Sequence, residues 1–521
     1  EFIPYQNNPV KDGNLHVWMF RIPLSFYPNL RKQLRILFLF SIAFIIVFSF
    51  LPVNAYASFG AASLICLAFG CWQVVYIMLH YLDKAQKFFP VRLTLLVLFL
   101  ISSFYNRDHE IRSIGKQTAD TTTLVHHFDS WYTSLLNDST STGAGEKIYR
   151  VGALKDSVPV VFIAAEGGAL RTGAFTSLIL SRLADAYPSF PSYIYCYSGV
   201  SGGTLGSNFF NSMYIDHQLH PNGKEYSQAT KEFFTKDYLS AVTGKLVFGE
   251  IVNYFIPWRI KAFDRAIALE KSWEQGWETG TGNPNLMKGS FNISKTKGMP
   301  AVFINTTEAE SGLQCIWSNV VIDTMTLGKQ RDLARRTGLD ISYSTAINLS
   351  TRFPLVSPGA TIFYTGTLKK QERKHFVDGG YFENTGAETL LEVMKLVNLE
   401  NKPIKPYVIQ FNFADEDTIT STSIRKFSEL MEIVGAIYNT RSGRSHLSQA
   451  YLQRYVDSLG GVFIPLHMKL NTKKFPMNWM LSNTAMNRLD SVISAMIKPR
   501  ITDTTDRVDK ENLHRLFVYE D

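Results

Sequence analysis

The sequence predicts an α/β protein with a central, mainly parallel sheet that helices cover on both faces, preceded by an α-helical membrane region. Apolar runs that end in glycine alternate with helical stretches between residues 158 and 413. This is the pattern of buried parallel strands connected by helices. Asp, Glu, Lys and Arg are absent between Arg35 and Asp83, and soluble helices rarely avoid charge for so long. With 521 residues, the chain is long enough for a large core and an appended region.

The charge-free stretch predicts two membrane spans. As a helix it would be about 70 Å long, more than twice the thickness of a hydrocarbon core. Pro52 and Asn54 stand where a turn would divide it, so we place one span near Ile36–Val53 and another near Tyr56–Leu82. The alternative is a buried hairpin of a soluble protein. A third apolar stretch, Leu93–Tyr105, either crosses the membrane or lies in its interface.

Basic residues flank the predicted hairpin, and its short turn has none. By the positive-inside rule, both ends of the hairpin then face the cytoplasm. We therefore expect a multi-pass membrane protein with a cytoplasmic catalytic domain. This requires that Leu93–Tyr105 does not cross the membrane or that a further span precedes Glu1. The flanking basic residues are Arg21, Arg31, Lys32 and Arg35 before the first span and Lys84, Lys87 and Arg92 after the second.

Charge and cysteine content exclude several classes of function. The formal net charge is +8, and the first 112 residues contain ten Lys or Arg against five Asp or Glu. The basic balance therefore reflects residues beside the membrane, and no nucleic-acid partner is predicted. The four cysteines have neither the spacing of a disulfide framework nor that of a metal site. No metal or organic cofactor is predicted.

The chain is predicted to have three regions. Residues 1–116 form the membrane region with two or three spans, residues 117–150 a polar connector, and residues 151–521 the catalytic domain with a C-terminal helical extension. The catalytic domain contains a long insertion whose core, Leu246–Phe263, is rich in aromatic residues. This segment is either a lid or interfacial segment that lets a lipid leave the bilayer, or ordinary core packing.

Two strand-to-helix turns carry the predicted chemistry. Each begins in an apolar run, Val158–Ala165 in the first and Tyr193–Tyr197 in the second. The second turn fits Gly-x-Ser-x-Gly, the nucleophile elbow, which lifts the hydroxyl of Ser201 out of the edge of the sheet. Gly199 and Gly203 flank this serine, where any side chain would collide with neighbouring backbone.

The first turn supplies what the serine of the second turn lacks. The backbone N–H groups of Gly167, Gly168 and Ala169 lie at a predicted helix start, where they can receive an oxyanion. Arg171 follows, and its guanidinium suits a phosphate or a carboxylate, with a structural salt bridge as the alternative role. A third motif, Asp-Gly-Gly, begins at Asp378, at the end of a short apolar strand.

The set Gly-Gly-x-x-Arg, Gly-x-Ser-x-Gly and Asp-Gly-Gly, in this order, resembles the motifs of the patatin-like phospholipases. The resemblance implies a three-layer α/β/α fold in which Ser201 attacks a lipid ester and Asp378 is its only catalytic partner. It also implies Arg or Lys at the position of Arg171. In that family the glycine-rich loop usually carries a third glycine, where this sequence has Ala169. The alanine N–H can still serve an oxyanion provided that φ there is negative.

These features predict a membrane-anchored serine acyl hydrolase that cleaves phospholipid or lysophospholipid esters through a Ser–Asp dyad and an acyl-enzyme. Its predicted partners are the lipid substrate and the bilayer. Two alternatives stay open. One is an esterase of the α/β-hydrolase type, in which His446 or His467 completes a Ser-His-Asp triad. The other is a catalytically idle membrane protein that uses the fold to bind lipid.

Overall fold

The computed structural model describes residues 30–85, 90–105, 109–117, 122–141, 157–221, 223–353, 356–365, 371–413, 428–468 and 478–497. Arg21, Lys87, the end of the C-terminal extension and much of the predicted connector lie outside these residues. The chain divides into two compact units. The apolar unit comprises Glu1–Leu51, Ala62–Asn106 and Gly244–Phe263, and the sheet unit comprises Pro52–Ala61, Arg107–Thr243 and Asp264–Asp521.

Helices make up most of the described chain. In chain order they are α1 (Leu30–Phe50), α2 (Val53–Ala57), α3 (Ala61–Ala85), α4 (Val91–Tyr105), α5 (Leu124–Ser141), α6 (Ala169–Ala186), α7 (Gly202–Leu219), α8 (Tyr226–Phe234), α9 (Leu239–Gly244), α10 (Ile251–Asn253), α11 (Arg265–Thr281), α12 (Gly328–Arg331), α13 (Leu333–Thr337), α14 (Tyr343–Ser350), α15 (Ala387–Leu396), α16 (Ser428–Ser458) and α17 (Asn483–Ile497). A π-helix, Lys245–Glu250, connects α9 and α10.

The apolar unit contains the predicted spans. Two helices are long and apolar enough to cross a membrane, over Lys32–Phe50 in α1 and Ala61–Asp83 in α3. α1 ends before Pro52, which has no N–H group to continue the helical hydrogen bonds. The third apolar stretch forms α4, which is shorter. Many large apolar side chains of these helices are exposed, as expected where lipid is the solvent.

The sheet unit is built on one large sheet of mixed direction. The strands are β1 (Ser113–Lys116), β2 (Val158–Ala165), β3 (Ile194–Gly199), β4 (Ala301–Glu308), β5 (Gln314–Ser318), β6 (Leu339–Ile341), β7 (Ala360–Thr365), β8 (Gln371–Asp378), β9 (Ile404–Asn412) and β10 (Val462–His467). Eight of them form the central sheet in the order β10-β9-β2-β3-β4-β8-β7, with β5 paired to β4. β1 and β6 pair separately.

The core of the central sheet is parallel. β10, β9, β2, β3 and β4 run in one direction, whereas β5 and β8 run antiparallel to β4 and β7 antiparallel to β8. All eight residues of β2 are buried, because a parallel strand in mid-sheet is covered on both faces. α6 and α7 pack against each other, and α15 contacts both β2 and β3. The predicted α/β class with a mainly parallel sheet is confirmed.

The helix in the predicted connector contributes to the core of the sheet unit. Leu124, Phe128 and Trp131 of α5 are buried at helical spacing. The rings of Phe128 and Trp131 lie on Tyr195 of β3, with ring centroids 4.6 and 5.1 Å away. Residues before the glycine-rich motifs therefore help to hold the strand that leads to the serine.

Candidate active site

The two glycine-rich turns and the Asp-Gly-Gly motif meet at one edge of the central sheet. Ala165 and Gly199, the last residues of β2 and β3, are paired in parallel register. β8 runs antiparallel to β4, so it approaches this edge from the opposite direction and ends at Asp378, opposite Thr306. Carboxyl ends of parallel strands are where open α/β sheets bind ligands. The three motifs therefore form one candidate site.

Ser201 stands at a strained turn between β3 and α7. Its φ of 51° and ψ of −122° lie outside the conformations that non-glycine residues prefer. A Cβ atom on Gly199 would lie 2.6 Å from Thr204 Cα, and one on Gly203 would lie 2.4 Å from the Ala165 carbonyl oxygen. Both flanking positions therefore require glycine, for the steric reason that the Gly-x-Ser-x-Gly pattern suggests.

Ser350, the last residue of α14, holds the elbow in place. Its Oγ accepts the Ser201 backbone N–H at 2.9 Å and lies 2.9 Å from Thr204 Oγ1. Because Ser350 is fully buried, these bonds are shielded from water. Sequence reasoning missed this residue, since a serine inside a buried helix belongs to no recognisable motif.

Asp378 contacts the nucleophile directly. Its carboxylate accepts a hydrogen bond from the Ser201 hydroxyl, and its Oδ1 accepts the Gly380 N–H at 2.8 Å. The residue is only 3% exposed, and its own N–H donates to the Arg352 carbonyl at 3.1 Å. Burial raises the pKa of Asp378 to about 6, although both hydrogen bonds oppose this shift. A carboxylate with such a pKa accepts a proton more readily than an exposed one.

The N–H groups of the glycine-rich loop differ in their hydrogen-bond partners. The Gly167 N–H donates to the Asn384 carbonyl at 2.9 Å, so it is already engaged within the protein. In the described part of the chain, the N–H groups of Gly168 and Ala169 donate to no other group. Gly168 and Ala169 stand at the start of α6, where backbone N–H groups have no partner within the helix. In this structure the Gly167 N–H is therefore occupied, whereas the N–H groups of Gly168 and Ala169 have no acceptor among the described residues, and all three stay predicted oxyanion donors.

Ala169 adopts a conformation that the sequence analysis did not expect. Its φ is 59°, in the left-handed region, whereas we required a negative φ. The reason is close packing between the two turns, since the Ala169 carbonyl oxygen lies 1.8 Å from where a Cβ on Gly202 would be. An alanine in this region costs about 1–2 kcal/mol. The third glycine that the resemblance implies would remove this cost.

Ala169→Gly should therefore stabilise the protein by about 0.5–1 kcal/mol, because relief of the left-handed strain exceeds the entropy cost of glycine. The measurement is the midpoint of thermal unfolding of the full chain in detergent. The matched control is Ala174→Gly, in the buried interior of the same helix, which should destabilise by about 1–2 kcal/mol. A lower midpoint for both variants would contradict the strain at Ala169.

Arg171 lies beside the oxyanion loop but is held there by its own neighbours. Its guanidinium carbon lies 3.3 Å from the centroid of the Phe413 ring. Burial lowers the pKa of Arg171 to about 10, and the Glu166 carboxylate opposes this shift. Glu166 in turn accepts the Phe413 N–H at 2.7 Å. These contacts fit the structural role that the sequence left as the alternative.

A second cation near the site comes from α16, to which the sequence analysis assigned no chemistry. Ser445 Oγ accepts the Asn384 N–H at 2.9 Å, which fixes this part of α16 beside the Asp-Gly-Gly loop. Arg441 lies one turn earlier on the same helical face. Burial raises the pKa of both Asp378 and Glu166, and the positive charge of Arg441 opposes both shifts, so Arg441 acts on two carboxylates of the site.

Neither histidine of the alternative triad comes between Ser201 and Asp378. His467 ends β10, where it pairs with Asn412 of β9. Because β9 and β2 separate β10 from β3, His467 is about 14 Å from the strand that leads to Ser201. His446 is exposed on α16. The contact between Ser201 and Asp378 therefore contains no intervening imidazole.

Comparison with known proteins yields structural similarities alone. No protein-family model matches the chain, and no curated protein matches it. Among solved structures, the chain is similar to human GIVD cytosolic phospholipase A2, at 10% identity and a TM-score of 0.33, with 58% of this chain covered. The similarity spans about half of that phospholipase chain, 51%. A second similar structure is VipD from Legionella pneumophila, at 10% identity and a TM-score of 0.24, with 70% of this chain and 75% of that chain covered.

Proposed function

We propose that the protein is a serine acyl hydrolase that cleaves carboxylic esters of phospholipids or lysophospholipids with a Ser201–Asp378 dyad. The observation that carries the proposal is the hydrogen bond between the Ser201 hydroxyl and the buried Asp378 carboxylate. It places a base on a hydroxyl that the strained elbow presents at the edge of the sheet. These two side chains are a nucleophile and its proton acceptor.

The proposed reaction uses groups of this chain at every step. Asp378 accepts the hydroxyl proton as Ser201 Oγ bonds to the ester carbonyl carbon. The N–H group of Gly168 stabilises the negative charge that develops on the carbonyl oxygen. The N–H of Ala169 contributes despite its positive φ, because it has no other acceptor among the described residues. Collapse of the tetrahedral intermediate breaks the bond to the alcohol, which leaves with the proton from Asp378. Water gives its proton to the same carboxylate, attacks the acyl-enzyme and releases the fatty acid and Ser201.

The surface beside Asp378 suits an amphipathic substrate. Phe353 and Tyr381 are exposed and stack with their ring centroids 6.0 Å apart, which provides an apolar contact for an acyl chain. Arg441 and Arg171 place positive charge near the site, which complements a phosphodiester head group. Either guanidinium could therefore bind the phosphate of the head group. The apolar helices α1 and α3 support membrane anchoring.

The proposal is tested by incubating purified full-length protein with phospholipid and lysophospholipid micelles and measuring released fatty acid by mass spectrometry. The wild type should release fatty acid and react with a fluorophosphonate probe, whereas Ser201→Ala should do neither. Equal labelling of both proteins would remove Ser201 as the nucleophile. If the wild type is neither labelled by the probe nor releases fatty acid, the result would favour the idle lipid-binding alternative.

The rate of hydrolysis should rise with pH and level off above the pKa of Asp378. Burial raises that pKa to about 6, and only the ionised carboxylate can accept the serine proton. Below pH ~6, kcat/KM should therefore fall about tenfold for each pH unit. The measurement is kcat/KM for a short-chain ester between pH ~4.5 and ~8. An inflection above pH ~7 would point to a different base.

A further inference from the structure

Two apolar helices end at the same short segment. Gly244–Phe263, which we call the aromatic segment, belongs to the apolar unit, although the chain on both sides of it belongs to the sheet unit. Lys245 Nζ donates to the Ser49 carbonyl at 2.8 Å, in the last turn of α1. Near the end of α4, Ser102 Oγ donates to the Ile256 carbonyl at 2.7 Å. The C-terminal ends of α1 and α4 therefore lie at the same end of the apolar unit. α3, which comes between them in the chain, leads back from this end to the opposite one.

Hydrogen bonds join the aromatic segment to these helices. Lys245 is 5% exposed and also donates to the Leu51 carbonyl at 3.0 Å, so it caps backbone carbonyls that have no partner within α1. The indole N–H of Trp72 donates to the Val247 carbonyl at 2.8 Å. Trp72 lies about 16 Å along α3 from its start, so the segment reaches well into the depth of the helices.

Exposed aromatic rings lie at this end of the apolar unit, as well as along its helices. Phe50 and Phe104 end α1 and α4, and Phe104 is 82% exposed. The aromatic segment adds Tyr254 and Trp258, the latter 65% exposed. Such rings are enriched where the hydrocarbon of a bilayer meets its head groups. The environment that these four rings suit is therefore the interface of a lipid bilayer.

The link between α1 and α3 shows independently that the chain connects to the sheet unit at the C-terminal end of α1. α2 belongs to the sheet unit, where it packs against α11 and buries Tyr56 completely. A link that leaves α1 and enters α3 lies at the C-terminal end of α1. The chain therefore passes from the apolar unit into the sheet unit, and back, at that end of α1.

Basic residues mark the opposite end of the helices. Arg31, Lys32 and Arg35 lie in the first turns of α1, and Arg92 lies in the first turn of α4, bonded through its Nε to Asp83 Oδ2 at 2.6 Å. By the positive-inside rule this end is cytoplasmic.

We propose that α1, α3 and α4 cross the membrane as three spans. The aromatic segment extends inward among them from the extracytoplasmic interface, and the chain enters and leaves the sheet unit on the extracytoplasmic side. α4 is about 22 Å long, and the snorkelling side chain of Arg92 at one end and interfacial rings at the other compensate for its shortness. This placement reverses the cytoplasmic side expected from the sequence, which required that Leu93–Tyr105 does not cross or that a further span precedes Glu1. If the proposed function holds, the substrate is a lipid of the extracytoplasmic leaflet.

Sided cysteine labelling of the full chain tests the placement. In a Cys66→Ala background, which removes the exposed native thiol, we compare Lys87→Cys with Lys261→Cys and Thr279→Cys. A membrane-impermeant maleimide should label the last two in bacterial cells whose outer membrane is permeabilised, and Lys87→Cys only after lysis. Labelling of Lys87→Cys alone before lysis, or of all three only after lysis, overturns the proposal.

Quenching by brominated phospholipids tests the seat of the aromatic segment. The emission of Trp258 is the difference between the fluorescence of the wild type and that of Trp258→Phe. This difference should be strongly quenched in vesicles of brominated phosphatidylcholine, relative to vesicles of the unbrominated lipid. The matched control is Trp317→Phe in β5, a buried indole of the sheet unit whose component should stay unquenched. An unquenched Trp258 component overturns the interfacial seat. Neither readout depends on hydrolysis, so the outcome is independent of the proposed function.

Discussion

Asp378→Asn should lower the rate of ester hydrolysis by at least about 10³-fold while the protein stays folded, because it removes the proton acceptor of Ser201. Asparagine is nearly isosteric and can keep the hydrogen bond from the Gly380 N–H, which reaches Oδ1 at 2.8 Å. The measurement is kcat for a short-chain ester, with the circular dichroism spectrum as the check on folding. A variant that retains more than a tenth of the wild-type rate would contradict a dyad.

Three histidine variants provide the control for this prediction. His375→Ala, His446→Ala and His467→Ala should each keep activity within about tenfold, a change of ~1.4 kcal/mol or less in the barrier. His375 lies near Asp378 in sequence, but its Nδ1 is 2.6 Å from Glu310 Oε1. In a triad, loss of the histidine is as damaging as loss of the serine. A histidine variant as inactive as Ser201→Ala would therefore establish the triad alternative.

Glu270→Ala should destabilise the sheet unit by about 3–5 kcal/mol, because it leaves the buried Arg352 guanidinium without its carboxylate. Glu270 Oε1 lies 3.4 Å from Arg352 Nη2, and both side chains are 1% exposed. Its Oε2 accepts the Arg112 Nε–H at 2.6 Å and the Thr345 hydroxyl at 2.8 Å. Asn348 Nδ2 donates to Oε1 at 2.8 Å. The carboxylate thus ties α11 to α14 and to the residue whose carbonyl accepts the Asp378 N–H.

The matched control for Glu270→Ala is Glu278→Ala, on the same helix but exposed. An exposed glutamate should change the free energy of unfolding by less than about 0.5 kcal/mol. The measurement is the unfolding midpoint of the full chain in detergent for the two variants and the wild type. Equal midpoints for both variants would mean that the buried network contributes little.

The parts of the fold and site that depend on consecutive residues could be predicted from the sequence. The apolar run Val158–Ala165 forms β2, and the glycine-rich turn after it leads into α6 as expected. These features are local, because an apolar run, a glycine and a helix start each depend on neighbouring residues. The mainly parallel sheet follows from their alternation.

Contacts between distant segments could not be predicted, because they leave no local pattern. The Asn384 carbonyl engages Gly167, and Ser350 holds the elbow, from segments far along the chain. Arg441 lies on a helix that shows no motif at all. The positive φ of Ala169 depends on how closely a second turn packs against it. Each of these is a property of the assembled sheet.

The aromatic segment illustrates the same limit of prediction. Its composition fitted core packing and a lipid interface equally well, because both environments accept aromatic rings. Its hydrogen bonds to α1, α3 and α4 distinguish the two, and they involve backbone carbonyls that every residue carries. The hydrogen bonds of Lys245 to the carbonyls of Ser49 and Leu51, for example, place the start of the segment at the C-terminal end of α1.

The late position of β8 in the chain has a consequence for biosynthesis. β2, β3 and the helices that follow them leave the ribosome long before Asp378 does. Until β8 pairs with β4, Ser201 has no carboxylate to take its proton, so a nascent or truncated chain carries an inert nucleophile. If the proposed function holds, hydrolytic activity arises only when β8 has joined the sheet.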